Sequence, residues 1–490
     1  MTLKTFLSLV SFTIFFFVCT PVQAQLDSSF GNGGKVVTII DSVYSNAEFD
    51  AMTVFPDGKI IASGWGAGGR LIIKYSDSGV VDSSFGAFGK RIDSFQMNGA
   101  TSMVVQPDGK ILTGGKYLER CLQNGQTDAA FGSNGRVSPL LDINIQIALT
   151  GNKIIAGGTY QNEIVLYQYN IDGSPDSSFG INGTVTTNFN GPGAGNYNNI
   201  MMRSLLLQPD GKVIVSGESF VTAIQSTAFI LVRYNNDGSL DTSFNRTGKA
   251  YTYVGGGWAQ FGRDAKLQPD GKILQCGAGG LGIALVRYNT DGSLDTTFDH
   301  TGICSVNGDL HEAHCVALDL SGNIVTAGIT DSNQCSLRRI KTDGSTDSTF
   351  GINGRILTLL DTIAVANPYR VNLLHLYNDG RILVGGYIRS EPFLMRYLFK
   401  SHPSVIKQPA NTIVHQLHVY PNPADESVTI ISPPTNGALT IVDIQGHLIT
   451  QMKVNGQPRV LNLSEYAPGF YLITIKASDG QIFYARFLKK

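Results

Sequence analysis

Apolar and polar positions alternate in short runs that recur along most of the chain. In "AMTVFPDGKIIASG", residues 51–64, two apolar runs flank Pro56-Asp57-Gly58, which predicts a β-hairpin. Gly58 supplies the positive φ that a tight hairpin turn needs. "RLIIKYS", residues 70–76, is rich in β-branched and aromatic residues and predicts a third strand. A "DSG", "NDG" or "TDG" turn follows, and D-S-S-F-G then leads into a fourth strand such as "GKRID", residues 89–93.

Three words build this pattern, and each occurs seven times. The first is D-[ST]-[ST]-F, with one Ala-Ala variant. Its aspartates are Asp27, Asp82, Asp128, Asp176, Asp241, Asp295 and Asp347. The second is P-D-G-K, at Pro56–Lys59, Pro107–Lys110, Pro209–Lys212 and Pro269–Lys272, with degenerate copies at Thr150–Lys153, Leu320–Asn323 and Tyr377–Arg381. The third is an apolar run closed by a basic–aromatic pair, as in "LIIKY", "ILVRY", "ALVRY" and "FLMRY", with weaker copies ending at Cys121, Tyr169 and Ile340. Successive D-S-S-F aspartates lie 46 to 65 residues apart, the length of a four-stranded propeller blade. The aspartates and hydroxyls of this word are expected to bond their own turn's backbone, as at Asp27, Asp82, Asp241, Asp295 and Asp347. Its phenylalanines, among them Phe30, Phe85, Phe244, Phe298 and Phe350, are expected to plug the core between blades.

The order of the words carries the topology. The last blade ends at Phe393–Lys400 with no D-S-S-F after it, while the chain opens on a D-S-S-F and a fourth strand of its own. Pairing that N-terminal strand with the last blade closes a ring and removes two sheet edges. The expectation is an all-β chain: a seven-bladed β-propeller of four-stranded blades over residues 25–400, its N-terminal strand closing the last blade. The words resemble the delta-60 repeat family over residues 26–400. That resemblance implies a β-propeller and little about activity, since fold does not give function.

After a Pro-containing linker at residues 401–416, the texture changes. Residues 417–490 alternate apolar positions between Gly and Pro turns, which predicts a small Ig-like β-sandwich. Its motifs resemble the C-terminal sorting domain of type IX secretion substrates. They are "YPNP" with Pro421, Asn422 and Pro423; "DIQG" ending at Gly446; "LSEYAPGFY" with Gly469 and Tyr471; and the basic end Lys489–Lys490. The resemblance implies Bacteroidota-type export, the type IX machinery as a partner of this domain, and a secreted or outer-surface product that passes through the periplasm.

The N-terminus agrees with export. Lys4, the apolar run Phe6–Val18 and "VQA" at Val22–Ala24 read as a signal peptide over residues 1–24. The run is short for a membrane span, so the mature chain is expected to have no transmembrane segment. Charge is balanced, at 37 basic against 38 acidic residues, which excludes a general pull toward nucleic acid. The mature chain keeps Cys121, Cys276, Cys304, Cys315 and Cys335, an odd set that argues against a disulfide framework. Cys304 and Cys315 could pair if adjacent strands aligned them. No ligand spacing supports a metal, and neither a metal nor a cofactor is expected.

No nucleophile elbow, zinc-protease motif or phosphate loop occurs, and the repeated aspartates belong to turns. In a four-stranded meander the P-D-G-K and D-S-S-F turns share one uniform face. The remaining loops share the opposite, variable face. Trp65, Trp258, Tyr44, Phe95, Tyr197, Tyr253, Phe261 and Tyr369 are assigned to those variable loops, with insertions at residues 189–199 and 218–227. Trp65, Trp258, Tyr197, Tyr253, Phe261 and Tyr369 are the ligand-binding candidates, and no catalytic residue is named. "NGDLHEAHC", with Asp309, His311, Glu312 and His314, is the one local concentration of titratable groups, and it reads as a polar loop between blades. The expected function is a monomeric, non-catalytic propeller that binds or scaffolds an extracellular protein or glycan. The alternative is an extracellular enzyme acting on a polysaccharide or other polymer.

Overall fold

The computed structural model describes residues 25–40, 47–93, 99–142, 145–189, 197–221, 226–255, 261–279, 282–307, 313–330, 332–360, 369–398, 414–422, 424–431, 436–443, 448–467, 469–478 and 482–489. The leader segment lies outside the described residues. The chain divides into two compact units, Met1–Ser401 and His402–Lys490. The described residues form strands and turns throughout, and no helix among them is long and apolar enough to cross a membrane.

In the first unit, six four-stranded antiparallel sheets follow in chain order. They span residues 48–93, 102–137, 146–187, 197–252, 261–307 and 313–359. A seventh sheet combines Arg370–Leu376, Ile382–Ile388 and Glu391–Leu398 with strands from the N-terminus. There Lys35, Val36 and Val37 pair with Met395, Leu394 and Phe393, and Gln25 and Leu26 pair with Leu398 and Tyr397. The first strand of each sheet packs on the first strand of the next, and Arg370–Leu376 packs on Glu48–Val54 to close the cycle.

The repeated words hold this arrangement together. In the fifth sheet, one Asp295 carboxylate oxygen accepts the Thr297 amide at 3.1 Å and the Thr297 hydroxyl at 2.7 Å, fixing the turn. The other oxygen accepts Arg287 Nε at 2.7 Å and Lys272 Nζ at 3.0 Å. The Arg287 guanidinium lies 4.5 Å from the centre of the Phe298 ring and also donates to the Thr342 carbonyl of the sixth sheet's turn. The neighbouring Tyr288 donates to Thr252 Oγ1 of the fourth sheet at 2.8 Å. One basic–aromatic pair therefore ties three consecutive sheets. Arg120 with Asp128, Arg233 with Asp241 and Arg339 with Asp347 repeat the ion pair. Arg396 with Asp27 makes it across the closure at 2.7 Å. The third sheet has Gln168 in the arginine's place, and Lys153 meets Asp176 instead, at 3.0 Å. In the first sheet Lys74 stands 3.9 Å from Asp82.

The phenylalanines of the word are buried at the junctions. Phe30 is 0% exposed, and a Cβ on Gly79 of the next turn would come within 2.8 Å of its ring. The D-x-G turn thus needs its glycine for close packing as well as for a φ of +81°.

These clamps are expected to make the unit acid-labile. Burial alone would raise the Asp241 carboxyl, but the Ser243 hydroxyl and amide, the Arg233 charge and Lys212 together hold it down to about 2. Asp27, Asp295 and Asp347 are held low in the same way, Asp82 and Asp176 first by the Ser84 and Ser178 hydroxyls with lysines, and Asp128, against its burial, by Lys110 and Arg120. A depressed folded-state pKa contributes stability that is fully present above the unfolded value of about 4 and is lost as pH falls through the folded value. Thermal melts should therefore show Tm falling steeply from about pH 4 toward pH 2. A Tm that stays flat across that window would refute the clamp account.

The second unit has two sheets. One comprises Val414–Gln416, Ile482–Lys489, Gly469–Ala477, Asn436–Asp443 and Leu448–Asn455; the other comprises His418–Tyr420, Ser427–Ile431 and Arg459–Asn462. Ile441, Ile473 and Phe487 of the first share one core with Val428 and Ile430 of the second. Residues 414–416, at the end of the segment assigned to the linker, pair in parallel with Ile482–Tyr484.

Candidate functional site

Five innermost strands of the first unit carry a β-bulge at the same place. Their pairing skips between Phe49 and Ala51, Met202 and Ser204, Gly262 and Asp264, Ala313 and Cys315, and Val371 and Leu373. The extra residues are Asp50, Arg203, Arg263, His314 and Asn372. A repeated glycine on the second strand permits the bulge. A Cβ at Gly64, Gly217, Gly277 or Gly386 would lie 2.1, 2.0, 1.6 or 1.9 Å from the carbonyl oxygen of Glu48, Met201, Phe261 or Arg370. Bulges re-aim side chains, and here all five bulged residues line one cavity of 660 Å³. Thr101 and Gln146 contribute from the second and third sheets, and Trp65 stands at the wall.

The cavity is polar and charged. Asn372 Nδ2 donates to Asp50 Oδ1 at 3.1 Å. Burial first and the Glu48 charge second push the Asp50 carboxyl up to about 7, against the opposing pull of Arg370 and Asn372. Burial likewise raises Glu48, against Arg370. Arg203 meets Glu218 at 2.6 Å. Asp264 is saturated: Lys266 lies 2.8 Å away, the Ser204 hydroxyl donates at 2.9 Å and the Val316 amide at 3.1 Å, which ties the fourth, fifth and sixth sheets. Among the described residues no group of three or more His, Cys, Asp or Glu could hold a metal ion. The five cysteines are free and buried. Cys304 Sγ points to the Gly344 carbonyl at 3.2 Å and Cys315 Sγ to that of Ala327 at 3.7 Å, so the two are not bonded to each other. Burial pushes the Cys121, Cys304 and Cys335 thiols up to about 12, too high for a thiolate nucleophile at neutral pH.

Residues 418–489 match the family described as a secretion system C-terminal sorting domain. Residues 152–179, 208–244 and 268–298 match a β-propeller domain of unknown function, DUF5122. The chain is a β-propeller protein with a type IX secretion sorting tail. Its destination is the cell surface or the extracellular space. No curated protein matches the chain. Among solved structures it is similar to PorZ, an essential surface component of the type IX secretion system of Porphyromonas gingivalis, at 17% identity and a TM-score of 0.42, covering 89% of this chain and 58% of that one. It is also similar to virginiamycin B lyase of Staphylococcus aureus, at 9% and 0.44, covering 74% of this chain and 99% of that one. A third likeness is to Drosophila Semaphorin 1a, extracellular domains 1–2, at 11% and 0.40, covering 74% and 88%. The propeller protein thus spans less than two thirds of PorZ, and none of these likenesses bears on its activity.

The propeller places the candidate aromatics differently from one another. The sequence pattern assigns Trp65 to a loop, but it lies in the strand Ile60–Gly66, paired with Glu48 and Arg70. The turn after it is only Ala67-Gly68, both at positive φ, so the strand runs on through the tryptophan. Phe261 and Tyr197 likewise open innermost strands rather than loops. Phe261 carries the Arg263 guanidinium 4.6 Å from its ring centre. The insertion at residues 218–227 is largely strand, within Val213–Val221 and Ser226–Tyr234. Tyr253 is exposed beyond its outer strand. Tyr369 is buried in the core with Ile388 and Phe393 and is not available at the surface. Trp258, Tyr44, Phe95, Asp309, His311 and Glu312 lie outside the described residues, whereas His314 reaches the cavity.

In the sorting tail, Asn422 accepts the Leu488 amide and donates to the Arg486 carbonyl, each at 3.0 Å. Tyr471 stacks on Phe487 and donates to the Ala467 carbonyl. Pro421 follows Tyr420 at a cis peptide, and Gly469 pairs with Lys489 at the end of the sheet. Pro423, Gly446 and Lys490 lie outside the described residues.

Asp50, Arg203, Arg263 and Asn372 were not singled out from the sequence. A signal was present: counting six residues back from the proline of each P-D-G-K gives Asp50, Thr101, Arg203 and Arg263. This is a column of unlike residues inside a regular repeat.

Proposed function

We propose that this protein is a non-catalytic, seven-bladed propeller, secreted or held at the outer surface, that binds an extracellular ligand at the mouth of its central channel. In this reading residues 25–400 form the ring and residues 401–416 a linker. Residues 417–490 are an Ig-like sandwich that engages the type IX machinery and is dispensable for binding. One observation carries the reading. The repeated words are consumed in clamps, while the bulge positions do not repeat and bring unlike polar side chains into one 660 Å³ cavity. That size suits a ligand site.

The test is a glycan and protein array probed with the full chain. Trp65→Ala should weaken binding by about tenfold or more, because aromatic anchors dominate such sites. Lys59→Ala, on the uniform face, should leave it unchanged. Loss with Lys59→Ala and retention with Trp65→Ala would put the site on the wrong face.

A second reading is supported by Asp50. A carboxyl with a pKa of about 7 beside Glu48 is poised to carry a proton at neutral pH, as a general acid does. Product release from a bound polymer, abolished by Asp50→Asn, would favour an enzyme. Binding without product favours the first reading.

A further inference from the structure

One sector of the channel mouth sets an aromatic beside bare backbone and a tight group of hydrogen-bonding side chains. Glu48 and Trp65 pair directly across the first sheet, so their side chains share a face, and both line the cavity. The bulge adds Asp50 to the same wall, and Arg370 and Asn372 enter from the seventh sheet. From the second sheet the described lining is small: Gly99, Thr101 and Gly115. A Cβ at Gly99 would fall 2.9 Å from the Trp65 amide nitrogen, and one at Gly115 would fall 2.2 Å from the Gly99 carbonyl oxygen. Bare backbone therefore passes the tryptophan, and among the described residues the second sheet adds no large side chain to the lining there.

The charges of the mouth are used within the protein. Arg203 is paired with Glu218 and Lys266 with Asp264, while Arg263 and His314 have partners of their own. Arg370 pulls against the raised carboxyls of both Glu48 and Asp50. Because Asp50 titrates at about 7, the Glu48–Asp50–Arg370 group carries less than one net negative charge at neutral pH. An ionic ligand would give up its water here for counter-charges that are already engaged. Pairing does not exhaust hydrogen-bonding sites, however, so a guanidinium beside carboxyl groups keeps spare donors next to spare acceptors. A hydroxyl donates and accepts at once, and neighbouring hydroxyls match that set, whereas a carboxylate only accepts and an ammonium only donates. An indole face suits the apolar face of a sugar ring. A peptide ligand would need apolar side-chain pockets, whereas charged and hydrogen-bonding groups dominate this lining.

We propose that this sector binds an uncharged oligosaccharide. One pyranose ring lies against Trp65 beside Gly99 and Gly115, and its neighbouring hydroxyls bridge Glu48, Asp50 and Arg370. This inference rests on the reading of the channel mouth as a ligand site.

Calorimetry on the full chain at neutral pH tests it. The neutral probes are cellohexaose, xylohexaose, mannohexaose and maltohexaose; the charged ones are hexagalacturonate and hexaglucosamine. At least one neutral hexamer should bind, and both charged hexamers should bind about tenfold more weakly or not at all. Added salt should change the neutral affinity by less than about twofold, because the ligand has no charge to screen. Trp65→Ala should lose about tenfold at an unchanged melting temperature, and Trp65→Phe, which keeps a flat ring, should lose less. A charged hexamer that binds as tightly as the best neutral one would overturn the uncharged assignment. If Trp65→Ala then abolished that binding, the mouth would stand as a ligand site of another specificity. No binding of any neutral hexamer overturns the inference outright, while the array with Trp65→Ala decides the underlying reading separately.

Discussion

A chain lacking residues 25–40 is expected to yield no cooperatively folded propeller. The deletion strips both N-terminal strands from Glu391–Leu398 and exposes a bare sheet edge. It removes Phe30, which is fully buried, at a cost of about 3–5 kcal/mol for a large aromatic. It takes Asp27 from Arg396, almost fully buried, which then keeps Asp77 alone at 2.9 Å, and losing one charge-assisted bond costs about 1.5–3 kcal/mol. Tyr75 loses its 2.6 Å hydrogen bond to Thr38. These losses together approach the whole stability of an ordinary domain, about 5–15 kcal/mol. Calorimetry should find no propeller transition in the deleted chain. A transition like that of the full chain would mean that the seventh sheet is complete without its N-terminal strands.

The second large effect separates the clamps by strength. Arg287→Ala leaves Asp295 with Lys272 as its one remaining cation beside the Thr297 amide and hydroxyl, removes the stacking on Phe298, and cuts the bond to the Thr342 carbonyl. The expected cost is about 3–4 kcal/mol, enough to lower Tm by roughly 5 °C or more in a unit of this size. Lys74→Ala removes the equivalent group of the first sheet. There the pair is 3.9 Å apart and partly solvated, so the expected cost is about 0.5 kcal/mol. The two variants should therefore melt well apart. Coincident melts would mean that the arginine clamp is ornamental and that strand pairing alone carries the ring.

The contrast between these two positions also explains what could be read from the sequence. Repetition made the fold legible. "LDSSF" at residues 26–30 had no preceding blade to belong to, "FLMRY" had no successor, and the pairing of Lys35–Val37 with Phe393–Met395 joins them. The Arg–Asp clamp was only half legible. Arg287 and Asp295 both stood out as members of words, but their contact depends on the Asp295 amide bonding the Arg287 carbonyl, which folds the turn back on its strand. The site was the least legible part. Asp50, Arg203, Arg263 and Asn372 vary where everything around them repeats, and only the bulge opposite a glycine brings them to one cavity. Trp65 was picked for its chemistry and assigned to a loop, because the two-residue turn that extends its strand has no distinctive sequence beyond a single glycine. Tyr369 had the same chemistry and is core. Residue type alone could not separate them.

The central claim is a division of labour: repeated residues hold the ring, and unlike bulged residues bind. The most direct measurement is array binding by the full chain carrying Asp50→Asn, Arg263→Gln and Asn372→Ala together, run beside Arg287→Ala below the melting temperature of both. The account predicts that the triple variant loses the parent's binding pattern at near-parental stability, while Arg287→Ala keeps the pattern despite its lower melting point. A triple variant that binds as the parent does, with the pattern lost only in the clamp variant, would contradict it.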